Sequence, residues 1–146
     1  MTPTEFDKAV EKARTMRRIV GLSLAEERER PATERDLTVW EQEHGVALPP
    51  SYRHFAKVYG CGDFVFTTVL SVLAESNYPI APCLKHVGND LVPIIDNHCG
   101  DYYCFPIRDG RCVDRMVFAD HEMGYESLEE DGRDFLLFLA EEGLGG

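Results

Sequence analysis

Six consecutive residues, Asp96-Asn97-His98-Cys99-Gly100-Asp101, hold two carboxylates, an imidazole and a thiol, and a second charged cluster, Asp120-His121-Glu122, follows further along the chain. These are the residue types of thiol catalysis, with Cys99 as nucleophile, His98 or His121 as base, and Asp101 or Asp120 orienting the base. Adjacency in sequence is not geometry, however. A cysteine in a turn beside a strand is more often a packing residue, and no helix N-terminus lies next to Cys99 to lower its pKa and supply thiolate.

Metal binding fares no better. His98, Cys99, Cys104, Cys112 and His121 fall within a few strands of one another, yet no Cys-x-x-Cys pair of a structural zinc site occurs, and no second histidine stands four residues after His121. Asp96, Asp101 and Asp120 could gather at strand ends around calcium, but the Asp/Asn spacing of an EF-hand loop is absent. The expectation is therefore no catalytic residue, no metal and no cofactor.

What must position these residues is a meander. Three runs rich in β-branched and aromatic residues, Leu91 to Ile95, Tyr102 to Ile107 and Val113 to Ala119, are separated by turn-formers and read as three consecutive strands. Pro93 removes a ladder donor, so the first strand should have an edge or a bulge there. Asp109-Gly110 suits a two-residue type I′ hairpin, in which both central residues take positive φ. Strict pairing about that turn sets Arg108 against Arg111 and Phe105 against Asp114, which predicts a bulge or a longer loop instead.

Helices precede the meander. Thr2-Pro3-Thr4-Glu5 is a helix start with a capping box, followed by Phe6, Ala9, Val10 and Ala13 at helical spacing as far as about Arg18. Gly21 closes that region, and Leu22 to Pro31 reads as a charged loop or short turn. Thr33 caps a second helix bearing Leu37, Trp40 and Glu41 and ending at Gly45, with Trp40 as a core anchor. Pro49-Pro50-Ser51-Tyr52 opens a third, carrying Tyr52, Phe55, Ala56 and Tyr59. Phe64 to Val72 reads as a strand with Phe64, Phe66, Thr68 and Leu70 on one face, and residues 73 to 90 as an irregular connection with one helical turn. Met123 to Glu130 is a polar connection, Asp131 caps a last helix with Phe135, Leu136, Phe138 and Leu139 as its apolar side, and Gly143 to Gly146 is a fraying tail.

Composition narrows the class. The 146 residues suit a single domain, 1–146, with a core that needs no staples. No apolar run is long enough for a membrane span, and the charged N-terminus lacks the apolar stretch of a signal peptide, so a cytoplasmic location is expected. Five cysteines, an odd number, are then expected to stay reduced.

The net charge of −11 is unevenly placed. Residues 1 to 62 carry ten acidic and ten basic side chains, and residues 63 to 146 carry sixteen acidic and five basic, so the whole excess lies in the second part. Such a surface repels nucleic acid and membranes and steers basic partners toward itself. Solubility alone is the commoner reason for an acidic domain, so the asymmetry counts only alongside other observations.

The order and spacing of several pieces, none specific alone, resemble the SUKH superfamily, which includes bacterial immunity proteins and a fungal regulator of cell-wall synthesis. The pieces are Trp40-Glu41, Gly45-Val46-Ala47-Leu48-Pro49-Pro50-Ser51-Tyr52 with Phe55 beyond, Val92-Pro93-Ile94-Ile95, Gly100-Asp101-Tyr102-Tyr103-Cys104-Phe105, Val117-Phe118-Ala119-Asp120-His121-Glu122 and Phe135-Leu136-Leu137-Phe138-Leu139. They span roughly Pro31 to Leu139. Two departures stand out: no glycine-rich or leucine-rich continuation follows Gly62, and Ala119 occupies a position where the family pattern has an aromatic residue.

The resemblance implies an α+β fold with a central, mainly antiparallel twisted sheet and flanking helices, acting by binding rather than catalysis. Bacterial members resemble immunity proteins that neutralise a cognate toxin, often a nuclease or deaminase. A nuclease presents a basic groove to phosphate, which an acidic surface can occupy. The other role open to the fold is a non-catalytic housekeeping protein-interaction module. Asp96, Asp101, Asp120, His121 and Glu122, at the ends of the meander strands, are the expected partner-binding residues.

Overall fold

Local capping chemistry sets the first helices. In a computed structural model that describes residues 1–19, 29–125 and 128–145, α1 (Pro3–Ile19) begins at a reciprocal box in which Glu5 Oε2 accepts the Thr2 N–H at 2.7 Å and Thr2 Oγ1 accepts the Glu5 N–H at 3.2 Å. Thr33 and Asp36 form the same box at the start of α2 (Glu34–His44), and Gly45 ends it in the left-handed conformation, φ +66. Pro50 occupies the first turn of α3 (Pro50–Val58). The charged stretch Leu22 to Pro31 lies mostly outside the described residues.

Among the described residues seven strands follow: β1 (Gly62–Phe64), β2 (Thr67–Val69), β3 (Leu91–Asp96), β4 (Tyr102–Arg108), β5 (Arg111–Cys112), β6 (Val117–Ala119) and β7 (Leu128–Glu130). They form one sheet in the order β1-β2-β3-β4-β6-β7, with β5 paired to the far end of β4 and every pair antiparallel. A 3₁₀ helix (Ala81–His86) interrupts the long connection between β2 and β3, as expected. The architecture is α+β, with a central antiparallel sheet and flanking helices.

Two layers cover the sheet. On one side Phe55 of α3 packs against Phe6 of α1 (6.1 Å between ring centroids), Phe64 (5.2 Å) and Phe135 (5.7 Å), and Tyr52 meets Phe105 of β4 at 6.4 Å. On the other, the 3₁₀ segment lays His86 over Tyr102 at 6.3 Å. Alternate residues of β4 therefore meet different layers, and Cys104 and Phe105, neighbours in sequence, are both fully buried. Trp40 is only 4% exposed, as its placement on an amphipathic helix predicts, and its ring stacks on His44 at 4.2 Å.

The sheet bears out the bulge expected at Pro93 and corrects the sequence reading elsewhere. Pro93 sits in a central strand, and its lost donor is accommodated by a bulge: the register to β4 shifts by one residue between Pro93↔Cys104 and Ile95↔Tyr103. Phe64 to Val72 is no single strand. The chain reverses at Val65-Phe66, with Val65 at φ +54 and Phe64 paired to Thr67, and this exposes Phe66 instead of aligning it with Phe64.

The Asp109-Gly110 turn closes as a strict two-residue loop, φ +52 and +73, with Arg108 opposite Arg111 after all. Both side chains are exposed, where solvent screens their repulsion. The expected irregularity comes four residues later. Val113 still donates its N–H to Pro106 O at 2.7 Å, but Asp114 to Met116 leave the ladder and β6 rejoins two residues out of register, so within the predicted third strand, Val113 to Ala119, only β6 is a strand, and β5 lies before it. Phe105 thus escapes Asp114, whose Oδ1 accepts the Phe135 N–H at 2.9 Å, and Met116 is buried.

Further corrections lie toward the C-terminus. Asp134, not Asp131, caps α4 (Phe135–Phe138) by accepting the Leu137 N–H at 2.8 Å, while Asp131 binds Arg133. The helix then widens into a π-turn, Leu139–Gly143, in which Gly143 is buried rather than frayed. The polar connection after Met123 also contains a strand, β7, whose three side chains are all exposed. No helix among the described residues is long and apolar enough to cross a membrane.

Candidate interaction site

One end of the sheet collects the residues singled out by their chemistry. The β3–β4 turn is built from side chains that serve its own backbone: Asp96 Oδ1 accepts the His98 N–H at 2.8 Å, and Asn97 Oδ1 accepts the N–H groups of Cys99 (2.9 Å) and Asp101 (3.1 Å). His98 takes φ +59 and Gly100 φ +93. The β6–β7 turn packs beside it, starting as a 3₁₀ turn (His121–Met123) where Asp120 Oδ1 accepts the Glu122 N–H at 2.9 Å.

Asp101 ties the two turns together. Its Oδ1 accepts both the backbone N–H of His121 at 2.9 Å and the ring Nδ1–H at 2.6 Å, and its Oδ2 accepts the Asn97 side-chain amide at 3.0 Å. The His121 backbone N–H, then its ring and the Asn97 amide, hold the Asp101 carboxyl down at about 2. The same contact raises the His121 imidazole above its ordinary value. Tyr125 adds a second tie, donating its hydroxyl to Gly100 O at 2.6 Å.

The five predicted partner-binding residues therefore stand differently. Glu122 projects into solvent, Asp96 and Asp120 each cap a backbone N–H at the rim, His121 is exposed, and Asp101 is occupied by the turn it braces. Asp101, Asp120 and His121 each place one ligand-type atom within 4.8 Å of the others. The direct Asp101–His121 hydrogen bond accounts for that convergence.

The thiols differ in setting. Cys99 is exposed on the β3–β4 turn. Burial pushes Cys61 and Cys112 up to about 12 and Cys104 higher still, so none of these three supplies a thiolate near neutral pH.

Sequence reasoning did not find the neighbouring groove. Asp63 and Thr68, paired across β1 and β2, reach the β3–β4 turn through a short relay: Thr68 donates its hydroxyl to Asp63 Oδ1 at 2.9 Å, and His98 Nε2 lies 2.7 Å from Thr68 Oγ1. With the Thr68 hydrogen committed to Asp63, His98 Nε2 must be the donor, which fixes the protonated nitrogen of that ring. Phe66, Asp96 and Glu142 line the same groove. The signal that could have located it, an alternating strand pattern breaking at Val65, carries no turn-forming residue.

No curated protein matches this chain closely enough to serve as a relative. A family model does: that of the SMI1 / KNR4 family (SUKH-1) matches residues 31–141, from just before α2 into the C-terminal π-turn. That span takes in α2, α3 and the whole sheet, and it covers well over half of the chain, so the protein belongs to the SMI1 / KNR4 family (SUKH-1).

Proposed function

We propose that this protein is an immunity protein, a binding module that neutralises a basic, nuclease-type cognate toxin by covering it with the acidic end of its sheet. The observation that carries the reading is the placement of Asp96, Asp120 and Glu122 on adjoining turns at one end of a SUKH-1 sheet, in the part of the chain that holds the whole net charge of −11. A rim of like charge over rigid turns speeds encounter with a cationic surface, and it needs no reorganisation on docking.

In this reading the protein works by occupancy in the cytoplasm, without turnover, cofactor or metal. Nucleic acid and membranes share the sign of its surface and are not partners. Asp101 and His121 act by holding the two turns in register, and Asp96, Asp120 and Glu122 face the toxin. Co-purification with candidate toxin domains is the test. Capture of a basic nuclease domain, with loss of that domain's activity in the complex, is the expected result. Capture only of partners with neutral or acidic surfaces would remove the electrostatic basis of the proposal.

A further inference from the structure

Phe66 is the most exposed large apolar side chain among the described residues, at 70%. Its place is fixed by a non-local contact. The reversal at Val65-Phe66 is held by the Phe66 N–H, which donates to Gly143 O of the π-turn at 3.2 Å, and by Thr67 Oγ1, which donates to Phe64 O at 3.2 Å. Beside it lies a groove of about 540 Å³ between the β1–β2 hairpin, the β3–β4 turn and the C-terminal π-turn.

The groove combines two chemistries. Phe66 and Tyr103 contribute aromatic surface over a floor that includes the buried Phe138, and Asp63, Asp96 and Glu142 contribute carboxylates. Among the described residues no lysine or arginine lines it. Arg133, which lies over the Phe138 ring at 4.8 Å, is engaged by Asp131, Glu141 and Glu142. Rings alone would suit an apolar ligand, and carboxylates alone would leave a cation in its hydration shell. A guanidinium satisfies both, because it is planar, weakly hydrated, stacks on aromatic faces and meets carboxylates with paired N–H donors. An ammonium is compact and more strongly hydrated, and fits less well.

We infer that this groove receives an arginine side chain from a basic segment of the protein partner, with Phe66 as the aromatic wall against which the guanidinium stacks. The partner's identity as a toxin rests on the reading above; the groove's preference for arginine does not. Of the five expected partner-binding residues, Asp96 alone lines it.

The test uses the isotopically labelled full chain and a capped peptide, acetyl-Gly-Gly-Arg-Gly-Gly-amide, followed by amide NMR shifts. Saturable shifts confined to Phe66, Thr67, Thr68, Asn97 and His98 are expected. Replacing the peptide's arginine with citrulline, the neutral near-isostere, should weaken binding by about fivefold or more, as should Phe66→Ala. Asp63→Asn keeps an acceptor for Thr68 and removes one charge, so it should weaken binding without disturbing the hairpin. Equal binding of the citrulline peptide, shifts centred elsewhere, or no saturation would each overturn the assignment. Free arginine binding as tightly as the peptide would make this a small-molecule site and overturn docking. No toxin enters this titration, so its failure leaves the immunity reading standing, and failure to capture a toxin leaves the titration intact.

Discussion

His121 is held by Asp101 through two donors on one oxygen: the ring Nδ1 lies 2.6 Å and the backbone N lies 2.9 Å from Asp101 Oδ1. The β3–β4 and β6–β7 turns are joined at this point, so protonation of the ring changes how firmly they hold.

The pH dependence follows from two opposite shifts. Asp101 is lowered to about 2, so its contribution is complete above the ordinary carboxylate range and is lost as pH falls through about 2. His121 is raised above 6.5, so its contribution is complete below 6.5 and is lost as pH rises through the raised value. The tie is strongest between roughly pH 4 and 6.5. A proton NMR titration of the His121 ring should give a midpoint above 6.5, and Asp101→Asn should return it toward that value. An unchanged midpoint in the variant would assign the shift to another group.

The like-charged pair beside the Asp109-Gly110 turn gives a second expectation. Arg108 and Arg111 are directly opposed on exposed strand ends. Arg111→Glu converts repulsion into attraction and should raise stability by about 0.2–1 kcal/mol, less at high salt. Denaturant midpoints at two ionic strengths measure it. A lower midpoint at low salt would mean that the Arg111 side chain serves another contact.

Charge reversal at the rim separates folding from binding. Asp120 caps the His121–Met123 turn, so its replacement would cost about 0.5–2 kcal/mol in addition to any effect on binding. Glu122 lends the turn its backbone N–H and keeps its carboxylate in solvent. Glu122→Lys should therefore leave the melting midpoint nearly unchanged while slowing association with a basic toxin and flattening its salt dependence. Association as fast as that of the parent at low salt would place the interface elsewhere.

Gly143 tests the C-terminal support of the hairpin. A Cβ there would stand 2.9 Å from Phe64 Cδ1 and 3.2 Å from Thr67 Oγ1. Phe64 is buried among Phe6, Phe55 and Tyr59 and cannot swing aside. Gly143→Ala should cost about 1–3 kcal/mol by overpacking. A chemical-denaturation curve that matches the parent's would show that the π-turn can move away from the hairpin.

The parts legible in the sequence are those whose causes are local. Thr33 with Asp36, Gly45 and Pro50 set the bounds of α2 and α3 within a few residues of themselves, and the Asp109-Gly110 turn carries its own φ requirement. The parts that were not legible are set from a distance. The reversal at Val65-Phe66 is held by Gly143 O, and the departure of Asp114 to Met116 from the ladder goes with Asp114 reaching the Phe135 N–H and Met116 exchanging backbone hydrogen bonds with Asp131 and Arg133. The candidate site divides in the same way. A carboxylate after Gly100 is a recognisable turn residue, whereas the groove needs the hairpin, the meander and the C-terminal turn brought together.

β7 has a consequence for the molecule in a crowded solution. Among the described residues it is the last strand on its side of the sheet, and its outer backbone groups are a template on which another chain could add. All three of its side chains are exposed, and two of them are Glu129 and Glu130. Edge-to-edge pairing of two copies would bring four carboxylates into one short ribbon, so self-association by strand addition is opposed at neutral pH. Salt, which screens these exposed carboxylates, lowers that barrier while leaving the fold's own buried contacts in place.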